Sequence, residues 1–192
     1  DLLAWGALQI GDWGKLSQRA WAYVAELGYQ FPHAPGKPWV RFGTDRTSGD
    51  HDPNDGRHQT FFQILPTPRI YARFPFYNMM NLEDDFLEVI LRPHSRLTLR
   101  SDYRWLRLSQ AADLWYSGGG AFQSSTFGFS GRPSAGSRDL GRLADLSVDF
   151  RATAKTTLTF YYGYASGGKI VHSTYPAGSS ASLAYWEISR RL

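Results

Sequence analysis

The chain has no cysteine among its 192 residues, which excludes a disulfide scaffold and any thiolate metal site. No apolar run approaches the ~20 residues that a membrane helix requires. A leader is missing too. Asp1 opens directly into the strand-like run DLLAWGALQIG, where an exported precursor would begin with a basic and then an apolar stretch. The expectation is therefore the mature C-terminal part of a longer chain. Helical periodicity is absent, apart from a short stretch near residues 71–80. The formal charge of +4 and pI near 9.4 are modest. The basic residues form no dense patch and no nucleic-acid-binding motif, so no nucleic acid is expected as a partner.

Aromatic residues, by contrast, are abundant at 16%, and they follow a period of two. The chain is organised around residues 81–105, NLEDDFLEVILRPHSRLTLRSDYRW, two alternating runs joined at 92–95. In the second run Leu97, Leu99, Ser101, Tyr103 and Trp105 fall on one side, and Thr98, Arg100, Asp102 and Arg104 on the other. Side chains of a strand alternate between faces, so this is a ribbon with one apolar and one charged surface. Six further segments alternate likewise, at 2–11, 19–31, 39–44, 140–150, 156–165 and 182–192. In the first of them the inner face is ambiguous.

The connections alternate as well. Short breaks at 32–38, 92–95 and 151–155 lie on one side. On the other lie 12–18 and three longer loops, 45–81, 109–139 and 166–181, rich in Gly, Ser, Pro and Asp. Short turns on one rim and long loops on the other is the arrangement of outer-membrane barrels, whose apolar band is ~25 Å tall between aromatic girdles. Trp21, Tyr103, Trp105, Tyr164 and Trp186 are expected near the long-loop rim, and Tyr29, Phe31 and Phe150 near the short-turn rim. The expected fold is all-β, an antiparallel transmembrane β-barrel of outer-membrane type. Residues 1–192 form one such domain of about eight strands, as part of a larger barrel. A soluble β-sandwich or lipocalin-like barrel would turn its apolar faces inward, with no need for aromatics at both ends of the band or for such unequal loops.

GDHDPNDGRHQTFFQILPTPRIYARFPFYNMMNLEDDF (49–86) resembles the alginate-export family of bacterial outer-membrane barrels. LRPHSRLTLRSDYRWLRL (91–108), ADLWYSGGGAFQ (112–123), YYGYASGG (161–168) and AYWEISRRL (184–192) are similar to it as well. The resemblance covers most of the chain and corresponds to the C-terminal portion of that domain. It implies a porin-like channel in a Gram-negative outer membrane, with an electropositive conduit for a polyuronate such as alginate. The partners it implies are outer-membrane lipid, an anionic polysaccharide or smaller acidic solute, and the barrel-assembly machinery. One departure stands at the end of the chain. The family tends to finish on an aromatic residue with another two positions earlier, where this chain has Leu192 and Arg190. At that position Arg190 faces lipid near the rim, where a guanidinium snorkels to headgroups at small cost.

What a barrel passes is set by what lines it. The alternation places Arg41, Arg100, Arg104, Arg151 and Arg191 inside, where a planar guanidinium suits carboxylate recognition. It places Glu26, Asp84, Glu88, Asp102, Asp145, Asp149 and Glu187 there too. These acids outnumber the arginines, so the wall reads as mixed. Neighbouring strands can pair the charges off, or selectivity lies in the long loops. Arg69 and Arg73 are candidates for a loop folded into the pore, since 45–81 is too long for a simple connector. Asp50, Asp52, Asn54 and Asp55 in GDHDPNDG admit a Ca²⁺ site, with oxygen ligands at alternate positions. However, the glycine is displaced by one position, and Phe61 stands where the bidentate glutamate belongs. An Asx- and Gly-rich turn accounts for the same residues. No other cofactor is expected. SGGGAF (117–122) lacks the lysine of a phosphate loop.

An enzyme is not expected. All five histidines, His33, His51, His58, His94 and His172, lie in turns or loops, none at a recognisable triad spacing. The second reading is a structural or adhesive barrel whose lumen is plugged and whose surface loops bind a partner.

Overall fold

The structure, a computed structural model, describes residues 1–64, 73–74, 77–120 and 128–191. In chain order the elements are β1 (Leu2–Trp13), β2 (Leu16–Gln30), β3 (Trp39–Thr47), the two-residue β4 (Arg57–His58), β5 (Leu82–His94) and β6 (Leu97–Leu108). They continue with β7 (Trp115–Gly120), β8 (Gly128–Arg132), β9 (Asp139–Arg151), β10 (Thr156–Gly167), a short helix α1 (Lys169–Thr174) and β11 (Ser180–Arg190). The main sheet runs β1-β2-β3-β5-β6-β9-β10-β11, antiparallel at every step. These are the eight alternating segments of the sequence. β4 lies parallel to β2, and β7 and β8 form a separate hairpin. Among the described residues β1 and β11 do not pair with each other, so the path is open at both ends.

Several connections differ from their sequence reading. Pairing continues to Trp13↔Leu16, so 12–18 is not a loop but a two-residue turn. Gly14 supplies the left-handed φ of 65° that this turn requires. The loop 109–139 contains the β7–β8 hairpin, and 166–181 contains α1. No helix forms at 73–74 or 77–80; the rest of the 71–80 stretch lies outside the described residues. Between Leu106 and Arg107 the pairing of β6 with β9 slips by a bulge, at which Gly141 takes φ 154°. A Cβ there would strike the Ser166 carbonyl.

Burial is inverted relative to a water-soluble sheet. On β6 Tyr103 and Trp105 are 37% and 39% exposed, while Asp102 and Arg104, which alternate with them, are 3% and 2%. The same phase holds across the sheet. Trp21, Tyr23, Leu27, Phe42, Leu87, Leu146, Tyr162 and Tyr164 point out, and Asp45, Asp84, Glu88, Asp145 and Ser147 point in. The register of β1 on β2 removes the ambiguity of the first segment. Leu3, Trp5, Ala7 and Gln9 lie opposite the inward residues Glu26, Val24, Ala22 and Ala20. Trp186, expected near the long-loop rim, packs on Phe160 with centroids 4.7 Å apart, nearer the short-turn end of β11.

The apolar core sits elsewhere, under the long loops. Phe74, Tyr77, Leu82, Leu106, Leu108, Trp115, Leu140, Leu143, Ala165, Ile170 and Val171 form one buried cluster. The segment bearing Phe74 and Tyr77 folds against the charged face. The Tyr77 hydroxyl donates to Asp84 Oδ2 at 3.0 Å, and a Cβ at Gly163 would meet the Phe74 ring.

Candidate functional site

One row of the inward face crosses the sheet through Gly28, Arg41, Glu88, Asp102, Asp145 and Gly163, each opposite the next in register. Placing these side chains on a common face is a consequence of period two, and their contacts follow from it. Glu88 is 1% exposed and sits between two arginines. Arg41 Nη1 donates to its Oε1 at 2.9 Å, and Arg100 pairs with its other oxygen. The second arm of Arg41 reaches Glu26, and that of Arg100 reaches Asp102 at 3.1 Å. One row higher, Arg104 pairs with Asp84 and lies over the Phe86 ring, 4.5 Å from its centroid.

The chain of contacts continues beyond the arginines. The Asp102 amide donates to Asp145 Oδ1 at 3.2 Å, and the Tyr161 hydroxyl donates to Asp145 Oδ2 at 2.8 Å. The Tyr161 ring stacks on Tyr185 at 4.9 Å. Thr159 donates to Asp149. Arg41, Arg100 and Arg104 thus face Glu26, Asp45, Asp84, Glu88, Asp102, Asp145 and Asp149, three cations among seven carboxylates. Each of these arginines has a carboxylate partner. A buried pair of this kind contributes little net stability but is costly to break, because the survivor is left charged and desolvated. Oxygens of Asp45, Asp84, Asp102 and Ser147 are buried with no hydrogen-bond partner among the described residues.

The remaining expected site residues lie apart from this network. Arg151 and Arg191 are exposed at the short-turn rim, where Arg151 donates to the Ser95 carbonyl. Glu187 is half-buried on β11 and accepts from Ser189 at 3.1 Å. Arg73 is half-buried beside Phe74; Arg69 lies outside the described residues. In 50–57 each carboxylate is turned back on the local backbone. Asp50 accepts from the Asp52 amide at 3.1 Å, Asp52 from Asn54 at 3.0 Å, and Asp55 from Arg57 at 2.9 Å. These are Asx turns. Among the described residues no three acid or histidine groups come close enough to hold a metal.

Sequence reading missed Asp45 and Asp113. Asp45 continues the inward phase of Arg41 and Gly43, one residue beyond Thr44, where the alternation of the third segment ends, although the strand itself runs on to Thr47. Asp113 organises the long loops: it accepts from the Asp50 amide at 2.9 Å, Thr60 at 2.6 Å and Tyr116 at 2.7 Å. Burial and that carboxylate push the Tyr116 phenol up. Burial, followed by Asp84, does the same to Tyr77. His58, stacked on Trp13 at 4.7 Å and bonded to Gln18, is held below its usual pKa by burial.

Comparison with curated proteins gave no significant match. The family model described as alginate export matches residues 2–184, nearly the whole sheet. The chain belongs to the alginate export family.

Proposed function

We infer that the sheet is part of the wall of a bacterial outer-membrane β-barrel that passively conducts an anionic polysaccharide such as alginate, or smaller acidic solutes. The family is one of transport, and it suggests a polysaccharide export channel. The observation that carries the reading is the charge-free outer belt. On β2 nothing charged faces out from Trp21 to Phe31, ten residue steps. At a rise of about 3.3 Å per residue and a tilt of about 40°, that stretch projects to roughly 25 Å, the height of an outer-membrane apolar band. At the long-loop end the belt stops at Arg19, Arg46, Asp85, Arg107 and Arg142. Some of these are paired with one another, as Arg46 is with Asp85 at 2.7 Å.

In a bilayer the free edges of β1 and β11 require partner strands, because lipid cannot satisfy their backbone groups. The inward network then lines a wet conduit whose paired charges hold it rigid, and solutes pass by successive weak contacts without a cofactor. The apolar cluster under the long loops favours a second reading, a plugged structural barrel with partner-binding loops. Single-channel recording in planar bilayers separates the two. An open, anion-preferring pore blocked by oligouronates is expected; absence of any conductance would overturn the channel and leave the plugged barrel.

A further inference from the structure

The cations of the short-turn rim contrast with those of the wall. The segments 31–38, 92–96, 151–155 and 189–191 carry no aspartate or glutamate. Backbone bonds tie them side by side: Arg92 to Gly36 at 2.6 Å, Arg151 to Arg96 at 2.8 Å and Arg191 to Lys155 at 2.9 Å. Each seam is basic, the first through Lys37 and Arg92, the second through Arg96 and Arg151, the third through Lys155, Arg190 and Arg191. These seven cations exceed the chain's formal charge of +4, so the rest of the molecule sums to −3. All seven are exposed, and among the described residues none pairs with a carboxylate.

At the third seam the rim is hollowed. A cavity of about 520 Å³ is lined by Arg151, Lys155 and Arg191 together with Thr157 and Ser189, and it is bordered by Arg190 from the outward phase of β11. Thr157 lies opposite Arg151 on one side and is flanked in register by Ser189 on the other strand's inward phase. The pocket therefore opens on the charged face of the sheet.

We propose that this pocket is an anion-capture site that holds carboxylates of a uronic-acid chain at the short-turn mouth. The proposal rests on the channel reading. Guanidinium groups take a carboxylate bidentately, and serine and threonine hydroxyls suit the sugar hydroxyls beside it. The wall arginines are committed to Glu26, Glu88, Asp102 and Asp84, whereas the rim cations have their charge to offer. Because the site is exposed, its attraction is screened by salt, so a captured chain is released readily.

The test is current block by an oligogalacturonate added to either side of a planar bilayer. Pro35→Cys, in a chain without cysteine, identifies the short-turn side by its reaction with an impermeant thiol reagent. In the protein with Arg151→Gln, Lys155→Gln and Arg191→Gln, half-block from that side is expected to need at least tenfold more oligouronate. Lys37→Gln, a rim cation outside the pocket, is expected to leave the block unchanged, as is a neutral oligosaccharide probe. Should the triple variant give no channels, Lys155→Gln alone is read the same way, with a smaller loss. Equal block of wild type and variant overturns the capture site and leaves the channel standing. So does a conducting wild type that the oligouronate does not block at all. No conductance by the wild type removes the channel reading and the capture site with it.

Discussion

Leu146 lies on the outer face of β9, between Ala144 and Val148, opposite Ser101 and Tyr162 on the two adjoining strands. It is 42% exposed although its strand is internal to the sheet. Replacing it with arginine separates two environments by magnitude. If that face meets water, the change belongs to ordinary surface substitutions, within about 0.5 kcal/mol. If it meets acyl chains near mid-belt, the guanidinium costs about 2–4 kcal/mol. Reversible urea unfolding from lipid vesicles, followed by the fluorescence of the seven tryptophans, reads the difference as a fall in midpoint at constant slope. Thr153→Arg, in an exposed turn of the same hairpin, supplies the comparison. A loss of stability under about 0.5 kcal/mol for Leu146→Arg would refute the lipid-facing assignment.

Glu88→Gln removes the carboxylate shared by Arg41 and Arg100. Since those arginines are 22% and 25% exposed and each keeps a second acid, the cost is expected at about 1–3 kcal/mol, below that of a fully buried pair. The reversal potential of the pore is expected to move toward anions. Gly43→Val brings a Cβ into the Phe86 ring and the Glu26 stem, so overpacking of about 1–3 kcal/mol should appear in the same unfolding assay. His58 has a folded-state pKa below its ordinary 6.5, so the undocked state takes up the proton first. Docking of the loop around His58 is therefore at full strength above about pH 6.5 and weakens as pH falls toward the lower folded value. Proteolysis within 50–60 should accelerate over that interval, and His58→Gln should flatten the dependence.

The strand framework was legible because its signal is local. In 97–105 each residue declares its face by its neighbour at two positions' distance, and no long-range knowledge is needed. Arg100 and Asp102 could be placed on one surface that way, and Glu88 across the hairpin. The pairing of Arg41 with Glu26 could not, since it depends on the register between β2 and β3, set by a turn of irregular length at 31–38. The core under the loops was illegible for a stronger reason. Phe74, Trp115 and Ile170 come from three separate loops without shared periodicity, and only folding over the sheet brings them together. The β7–β8 hairpin was hidden by its glycines, which weaken a strand signal without preventing the pairing. The short turn at Gly14 is marked by a glycine, but the alternation of β1 blurs at Gly11, two residues before the strand ends at Trp13.

The central claim is that apolar residues face lipid and charged residues face water along each strand. Site-directed spin labels at successive positions 97–105 of β6, in protein reconstituted into bilayers, test it most directly. Collision rates with oxygen should peak at Leu97, Leu99, Ser101 and Tyr103. Rates with a water-soluble nickel reagent should peak at Thr98, Arg100 and Asp102, so that the two profiles alternate out of phase with period two. Labels at Leu99 and Tyr103 that are reached by neither reagent, or by the aqueous one alone, would contradict the account.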